Sequence, residues 1–371
     1  MRIISNKKLE GFRKKLEEKK LDAALFLTSE SIHDVNIEYF TDLQQERFFS
    51  FSCLLMIPDK STLIVSSLTY DQAMERADAD EIINLESYNR SLTKVLKEKL
   101  KKVKSVGIIE EIFPYRIYRK FKHLKFQDIS DIILDTRSVK EPKEIERIAK
   151  ACQIANHGIK IIEKNCSKNM TEKELALILE QELIKKGADE LAFPTIVTSG
   201  KRSAYIHPYP SFSNQKIQDG LGLVDFGVRY KSYCSDVTVP FTLGKISSKQ
   251  KKIIQTVEEA YEKAIETLKI SIPTWKVHES VESFIKKNGF KLKHSLGHGL
   301  GLELHDVPSL SSKPKNKVTL KEWKEVKLKE NMVFTIEPGI YEPKIGGCRL
   351  ENDILMSKKA KSLTKSKLIS F

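Results

Sequence analysis

Residues 223–236 read LVDFGVRYKSYCSD. An apolar run delivers Asp225, a polar turn follows, and a second short run closes on Asp236. Alternation of this kind marks half-buried strands. A tight hairpin centred on Tyr230–Lys231 would set Asp225 directly across from Asp236, with their Cβ atoms about 4.5–5.5 Å apart on one face. Two carboxylates held that close repel each other unless a cation lies between them. The stretch therefore predicts an antiparallel sheet with a metal at its edge.

Two later segments share this character: HSLGHGLGLELHD at 294–306 and FTIEPGIYEPKIGGCRLEND at 334–353. The first crowds together His294, His298 and His305. Its glycines argue against a regular helix, at about 1 kcal/mol each, and permit close backbone approach around His298. His298 is the candidate ligand, and the other two histidines are candidates for substrate contact. In the second segment, Glu337 precedes Pro338–Gly339 and Glu351 follows Gly346–Gly347–Cys348–Arg349. Both glutamates sit in apolar, β-branched surroundings, where a buried carboxylate needs a partner that a cation can supply. Arg349 is expected to orient Glu351. Asp225, Asp236, His298, Glu337 and Glu351 can together hold two divalent cations with a water between them, the requirement for hydrolysis at neutral pH.

Outward from these segments, 371 residues suggest two domains, each able to bury a core. A helix over 6–20, strands in DAALFL, SFSCLLMIP, STLIVSS and KSVGIIE, and lysine-rich helices near 70–78 and 91–102 predict an α/β domain over 1–137. The boundary falls in DTRSVKEP, and the second domain occupies 138–371. Pro142 suits a first helical turn. Ile145, Ile148, Cys152, Ala155, Ile159 and Ile162 then form one apolar helix face. Thr171 and Glu174 make a capping box for a helix over 172–186, which Gly187 ends. Further helices near 247–269 and 274–287, the latter stopped by Gly289, would wrap an antiparallel sheet. The second domain is thus α+β.

No apolar run approaches the length of a membrane span, and the N-terminus lacks a signal-peptide core. Five scattered cysteines without a CxxC pair suit a reducing cytoplasm. The net charge of +14 reads as a solvated lysine-rich surface. Nucleic-acid binding requires a basic face with arginine and stacking aromatics, and none stands out, so nucleic acid is not an expected partner beyond weak, salt-sensitive and sequence-independent association with RNA.

In these segments the chain resembles the pita-bread metallopeptidases, and among them the Xaa-Pro peptidases, aminopeptidase P and prolidase. The resemblance is dense and ordered over VDFGVRYKSYCSD, SLGHGLGLELHD, TIEPGIY and GGCRLEND, and diffuse over the N-terminal half, which looks like a creatinase/prolidase-type domain. It implies that Asp236 and Glu351 bridge two metals, that Asp225 chelates one, and that His298 with Glu337 binds the other. It also nominates His207, in TIVTSGKRSAYIHPYP, as a substrate-side histidine beside His305. The implied reaction is hydrolysis of the bond before proline in small peptides, with Glu337 managing a proton, His207 and His305 steadying the oxyanion, and His294 and Arg349 on the substrate side. An oxygen-rich donor set with one imidazole favours Mn²⁺, Co²⁺ or Fe²⁺, with Zn²⁺ the alternative. A homodimer, with the N-terminal domain as the contact, is expected on the same resemblance.

Two departures from the family pattern stand out. Thr238-Val239-Pro240 replaces the frequent Thr-Arg-Thr, with no expected effect on the metals. Ser309 stands where prolidases typically carry an arginine for the dipeptide carboxylate. Its loss removes a charge-assisted clamp and tilts the expectation towards aminopeptidase action on longer peptides. A long 310–330 stretch offers Lys313, Lys315 and Lys317 as substitutes, which keeps the dipeptidase alternative open. The complete ligand set argues against metal-free creatinase-like chemistry and against a non-catalytic binding module.

Overall fold

Residues 3–44, 50–316, 320 and 323–371 are described by the structure, a computed structural model. Backbone contacts divide the chain into two compact units, Met1–Arg137 and Ser138–Phe371.

In the first unit, short apolar runs between helices form one six-stranded sheet of order β4-β3-β2-β1-β5-β6. Its strands are β1 (Ala23–Thr28), β2 (Ser52–Ile57), β3 (Lys60–Val65), β4 (Glu81–Asn84), β5 (Ser105–Ile108) and β6 (Lys125–Asp128). β1–β2–β3 pair antiparallel, while β4, β5 and β6 join in parallel. Leu25, Leu27, Cys53 and Val106 on one face pack against Leu92, Val95, Leu96, Ile117 and Phe121 from the helices Leu92–Lys99 and Tyr115–Lys120. The helix Val35–Thr41, capped by the Asp34 side chain, is buried at every position and shows no amphipathic period in the sequence.

In the second unit, Pro142 occupies the first turn of the helix Pro142–Asn165. Thr171 and Glu174 cap Glu172–Lys185 reciprocally. Two more helices, Ser248–Thr267 and Thr274–Lys287, complete the outer layer. The strands are β7 (Glu190–Leu191), β8 (Ile196–Ser199), β9 (Gly220–Phe226), β10 (Val228–Tyr230), β11 (Tyr233–Cys234), β12 (Val237–Leu243), β13 (Gly297–Gly299), β14 (Asp306–Leu310), β15 (Val333–Ile336), β16 (Gly339–Glu342), β17 (Gly346–Arg349), β18 (Asn352–Met356), β19 (Ala360–Ser362) and β20 (Ile369–Ser370). They form a four-stranded sheet β20-β12-β9-β8, a five-stranded sheet β14-β13-β15-β18-β19, and two smaller ones.

Each large sheet packs one face on its own helix pair. Val224, Phe226, Val237 and Val239 join the core with the first pair, including Ile154 and Leu179. Phe334, Ile336, Ile354 and Met356 join the core with the second pair, including Val257 and Val281. Side chains alternate along a strand, so Asp225, Asp236, Glu337 and Glu351 fall on the faces the helices leave uncovered.

The hairpin register differs from the sequence expectation. Asp225 pairs with Thr238 rather than Asp236. Lys231 and Ser232 both adopt left-handed φ, +47° and +69°, so the two-residue turn is centred one residue later, with Tyr230 opposite Tyr233. The partner strand is displaced by two residues. A two-residue shift preserves facing, whereas a one-residue shift would reverse it, and both aspartates still point to one side as diagonal neighbours.

β13 is wedged between β14 and β15. A Cβ at Gly297 would meet the Thr335 carbonyl oxygen at 1.9 Å, and one at Gly299 the Val307 backbone at 2.1 Å. Gly297→Ala should therefore lower stability by at least about 2 kcal/mol through overpacking against backbone, read as a lower urea midpoint at unchanged slope. An unchanged midpoint would contradict this packing.

Candidate metal centre

The uncovered sheet faces bring Asp225, Asp236, His298, Glu337 and Glu351 to one cavity of about 580 Å³ within the second unit. His207, His294, His305 and Arg349 line the same cavity, so all the site residues singled out in the sequence are drawn together. Asp236, His298 and Glu351 each offer a ligand atom within 4.8 Å of the others. His298 Nε2 lies 3.4 Å from Asp236 Oδ2 and 3.8 Å from Glu337 Oε1. Its Nδ1 is 3.1 Å from the Gly299 carbonyl oxygen. A carbonyl only accepts, so Nδ1 carries the proton and Nε2 presents its lone pair to the cavity.

Asp225 Oδ1 and Asp236 Oδ1 are buried and accept no hydrogen bond. Orphaned carboxylate oxygens beside an imidazole lone pair are the donor set a divalent cation needs, and the residues present fit such an ion.

The supporting bonds differ from the expectation for Arg349. Its Nη2 donates to Asp225 Oδ2, its Nη1 to Tyr341 Oη at 2.7 Å and its Nε to Thr238 Oγ1 at 2.8 Å. Thr238 Oγ1 donates in turn to Glu351 Oε2 at 2.7 Å. Arg349 thus clamps Asp225 directly and is linked to Glu351 through Thr238, the residue just before the Val239-Pro240 departure. Asp353 also escaped that reading. Its Oδ2 accepts the Asp236 backbone N–H at 3.1 Å and the Cys152 thiol at 3.3 Å, fixing the strand that carries Asp236. The only signal in the sequence was a further acid two residues after Glu351.

Burial and mutual repulsion raise the acids. Asp236 lies well above its ordinary value through burial and then through Glu351 and Asp225. Glu337 is raised by burial and by Glu351, and Glu351 is raised to about 7 by burial and Asp225. His294 moves the other way, down to about 4, through burial and the Arg349 charge. Its Nδ1 faces the Ser295 carbonyl at 2.7 Å, and its Nε2 accepts from the Tyr341 hydroxyl at 3.0 Å. It is a neutral imidazole. Burial, then His298 and His207, lower His305 as well. The His305 ring stands edge-on to His298 with centroids 4.2 Å apart.

His207 is exposed on the loop between β8 and β9. That loop closes on the fully buried Glu172. Glu172 Oε1 accepts from Ser199 N–H at 2.9 Å and Gln215 Nε2 at 2.9 Å, and Oε2 from Arg202 Nε at 3.1 Å and Ser213 Oγ at 2.7 Å. Ser309 lines the cavity. Lys313 does not; its Nζ sits over the rings of Trp275 and Trp323, 5.9 and 5.5 Å from their centroids. Lys315 is also absent from the cavity wall, and Lys317 lies outside the described residues.

Two family models match the chain: metallopeptidase family M24 over residues 146–358 and the creatinase/prolidase N-terminal domain over residues 8–139. The chain belongs to metallopeptidase family M24. Among M24 relatives, an Xaa-Pro dipeptidase of Pyrococcus horikoshii is 33% identical over 371 residues, covering 98% of each protein. The solved prolidase from Pyrococcus horikoshii aligns with a TM-score of 0.86 at 32% identity, covering 98% of this chain and 99% of that one. An X-Pro aminopeptidase from Thermotoga maritima aligns at 0.82 and 30% identity, covering 96% and 100%. The protein is therefore a metal-dependent peptidase, and its second unit has the pita-bread fold. No helix among the described residues is long and apolar enough to cross a membrane.

In the metal-free protein burial and mutual repulsion favour the protonated forms of Asp236, Glu337 and Glu351, whose folded values lie above the unfolded values of about 4. A raised folded value stabilises the fold fully below about pH 4, and that contribution is lost as pH rises through the folded value, about 7 for Glu351. Metal-free protein should thus lose thermal stability between pH 5 and 8. Added Mn²⁺ should restore most stability at the alkaline end and release protons into weakly buffered solution near pH 7. Metal stabilisation that is greatest at pH 5 would contradict this electrostatic picture.

Proposed function

We propose that the protein hydrolyses the bond preceding proline at the N-terminus of short peptides, using two divalent cations held by Asp225, Asp236, His298, Glu337 and Glu351. The observation that carries this reading is the convergence of these five donors, with two orphaned buried oxygens, on one cavity. Relatives named as Xaa-Pro peptidases support the substrate class. Asp236 and Glu351 would serve both ions, Asp225 one, and His298 with Glu337 the other. Bound cations of this kind supply an ionised water and polarise a carbonyl. An oxygen-rich set with one imidazole favours Mn²⁺, Co²⁺ or Fe²⁺ over Zn²⁺.

The remaining work falls to the chain. Arg349 holds Asp225, and Thr238 holds Glu351, in the orientation that faces the cavity. Glu337, open to the cavity, takes up the nucleophile's proton at its carboxylate and returns it to the leaving amine. His207 and His305 offer ring nitrogens to the scissile carbonyl oxygen. Phe193, Ile206 and Leu304 give the cavity an apolar wall, and the neutral His294 completes a surface suited to a prolyl ring without an N–H.

Peptide length depends on how a free C-terminus is met. Arg349 is the one guanidinium or ammonium among the described residues lining the cavity, and its nitrogens are engaged by Asp225, Tyr341 and Thr238. A dipeptide carboxylate therefore finds no free cation there. This supports action on peptides longer than dipeptides, as an Xaa-Pro aminopeptidase. Dipeptidase action is the second reading, favoured by the names of the Pyrococcus relatives.

Metal-stripped protein resupplied with Mn²⁺ or Co²⁺ should cleave an Xaa-Pro-Xaa tripeptide in preference to an Xaa-Pro dipeptide. Ser309→Arg should improve dipeptide kcat/KM about tenfold relative to the tripeptide, the effect of one charge-assisted contact. Cleavage of dipeptides alone would overturn the aminopeptidase reading in favour of prolidase. Failure to cleave either with metal would sink both.

A further inference from the structure

The basic charge of this chain is concentrated in one place. Residues 91–126 hold eleven Lys and Arg against three Glu, a local net charge of +8 out of +14 in about a tenth of the sequence. Ten of the eleven cations are exposed. None of the ten side-chain charges has a carboxylate within 4 Å among the described residues, although Asp22, which accepts the Lys104 backbone N–H at 2.8 Å, feels the Lys104 charge. The eleventh, Lys99, is held by Glu81 at 2.7 Å. Surface cations with no counter-charge paired to them repel one another and favour a polyanion.

The fold gathers them on one side of the N-terminal unit. The helices Leu92–Lys99 and Tyr115–Lys120 cover the same sheet face, and Lys120 Nζ donates to Thr93 Oγ1 at 3.1 Å across their junction. Lys125 N–H donates to the Lys104 carbonyl at 2.8 Å on the adjoining strands. In PYRIYRKFK (114–122), Ile117 and Phe121 turn into the core, leaving Tyr115, Arg116, Tyr118, Arg119, Lys120 and Lys122 outside. This is an arginine-bearing aromatic face that the linear sequence does not display.

The aromatics select among polyanions. Tyr115 and Tyr118 are 68% and 41% exposed, and their rings are stacked 5.9 Å apart at 20°. Tyr118 rests in turn on Phe126, with centroids 5.4 Å apart, so the pair stands on a fixed support. Flat, exposed rings among cations suit unpaired bases, whose faces are open to stacking while their phosphates meet Lys and Arg. A duplex hides those faces. A lipid surface would instead call for exposed aliphatic side chains beside the cations. The exposed Leu68 and Met74 lie on the helix Ser67–Arg76, which joins β3 to β4 at the opposite edge of the sheet.

We propose that this face of the N-terminal unit binds single-stranded nucleic acid, with a base stacked on the more exposed Tyr115, which Tyr118 backs from beneath, and phosphates held by the surrounding lysines and arginines. The site is separate from the proposed peptidase chemistry and does not depend on it.

The test is fluorescence anisotropy of the full-length, Mn²⁺-loaded protein with labelled oligoadenylate of about twelve nucleotides, at a series of KCl concentrations. Binding should weaken with salt by about 0.7 log units per log unit of salt for each phosphate contacted. Tyr115→Ala with Tyr118→Ala should weaken it tenfold or more at unchanged salt slope, and Tyr→Phe at both positions should retain it. Arg116→Glu with Arg119→Glu should weaken it and flatten the slope. Peptidase activity and melting temperature should be those of the parent in every variant. The proposal is overturned if the oligonucleotide does not bind at 50 mM KCl on the order of micromolar protein. It is equally overturned if the alanine variant binds as well as the parent, or if anionic phosphatidylserine vesicles bind and the oligonucleotide does not displace them.

Discussion

Four carboxylates, three of them buried, converge on one cavity, and the rest of the catalytic unit is arranged around that repulsion. Left alone, Asp236, Glu337 and Glu351 are shifted towards their protonated forms by burial and by one another's charge. A divalent cation turns the same geometry from a liability into a binding site, since each buried negative charge gains a counter-charge where the dielectric is low. Arg349 offsets part of the repulsion from behind, with one fork on Asp225 and a path through Thr238 to Glu351. Removing that guanidinium would leave a buried anion unpaired, which costs more than the pair contributes.

The sheets make this convergence possible at modest cost. Alternating side chains let Val224, Phe226, Val237 and Val239 build a core while Asp225 and Asp236 face the other way. The histidine strand needs closer approach than any side chain allows, hence the glycines that flank His298. Where a strand needs further fixing, a polar side chain does it, as Asp353 does for the Asp236 backbone. Metal site and hydrophobic core are therefore opposite faces of the same strands.

Much of this was legible from residue order because each donor sits in its own recognisable segment, and Pro142 and the Thr171–Glu174 box mark helix starts by local chemistry alone. The hairpin register was not, since it turns on left-handed backbone at Lys231 and Ser232, residue types that seldom announce it. The pairing of Arg349 with Asp225 spans 124 positions, and nothing local specifies a contact that distant. Glu172 carried no signal of its own beside the Thr171–Glu174 box, although its side chain organises the loop of His207. The tyrosine and arginine residues of 115–119 were obscured because the buried Ile117 interrupts them in sequence but not on the surface.

The closed clasp on Glu172 separates two kinds of evolutionary change. Ser199 and Arg202 meet Ser213 and Gln215 on one carboxylate, so the intervening segment departs from and returns to a fixed point. The entropy of closing such a loop grows only with the logarithm of its length. Within the segment, Ser203 and Ser211 remain tied to Gly347 and to Val197 of β8, so the exposed residues around His207 are the part free to be exchanged or lengthened while β9, where Asp225 resides, keeps its place. The scaffold can drift in what it recognises while conserving the apparatus that does the chemistry.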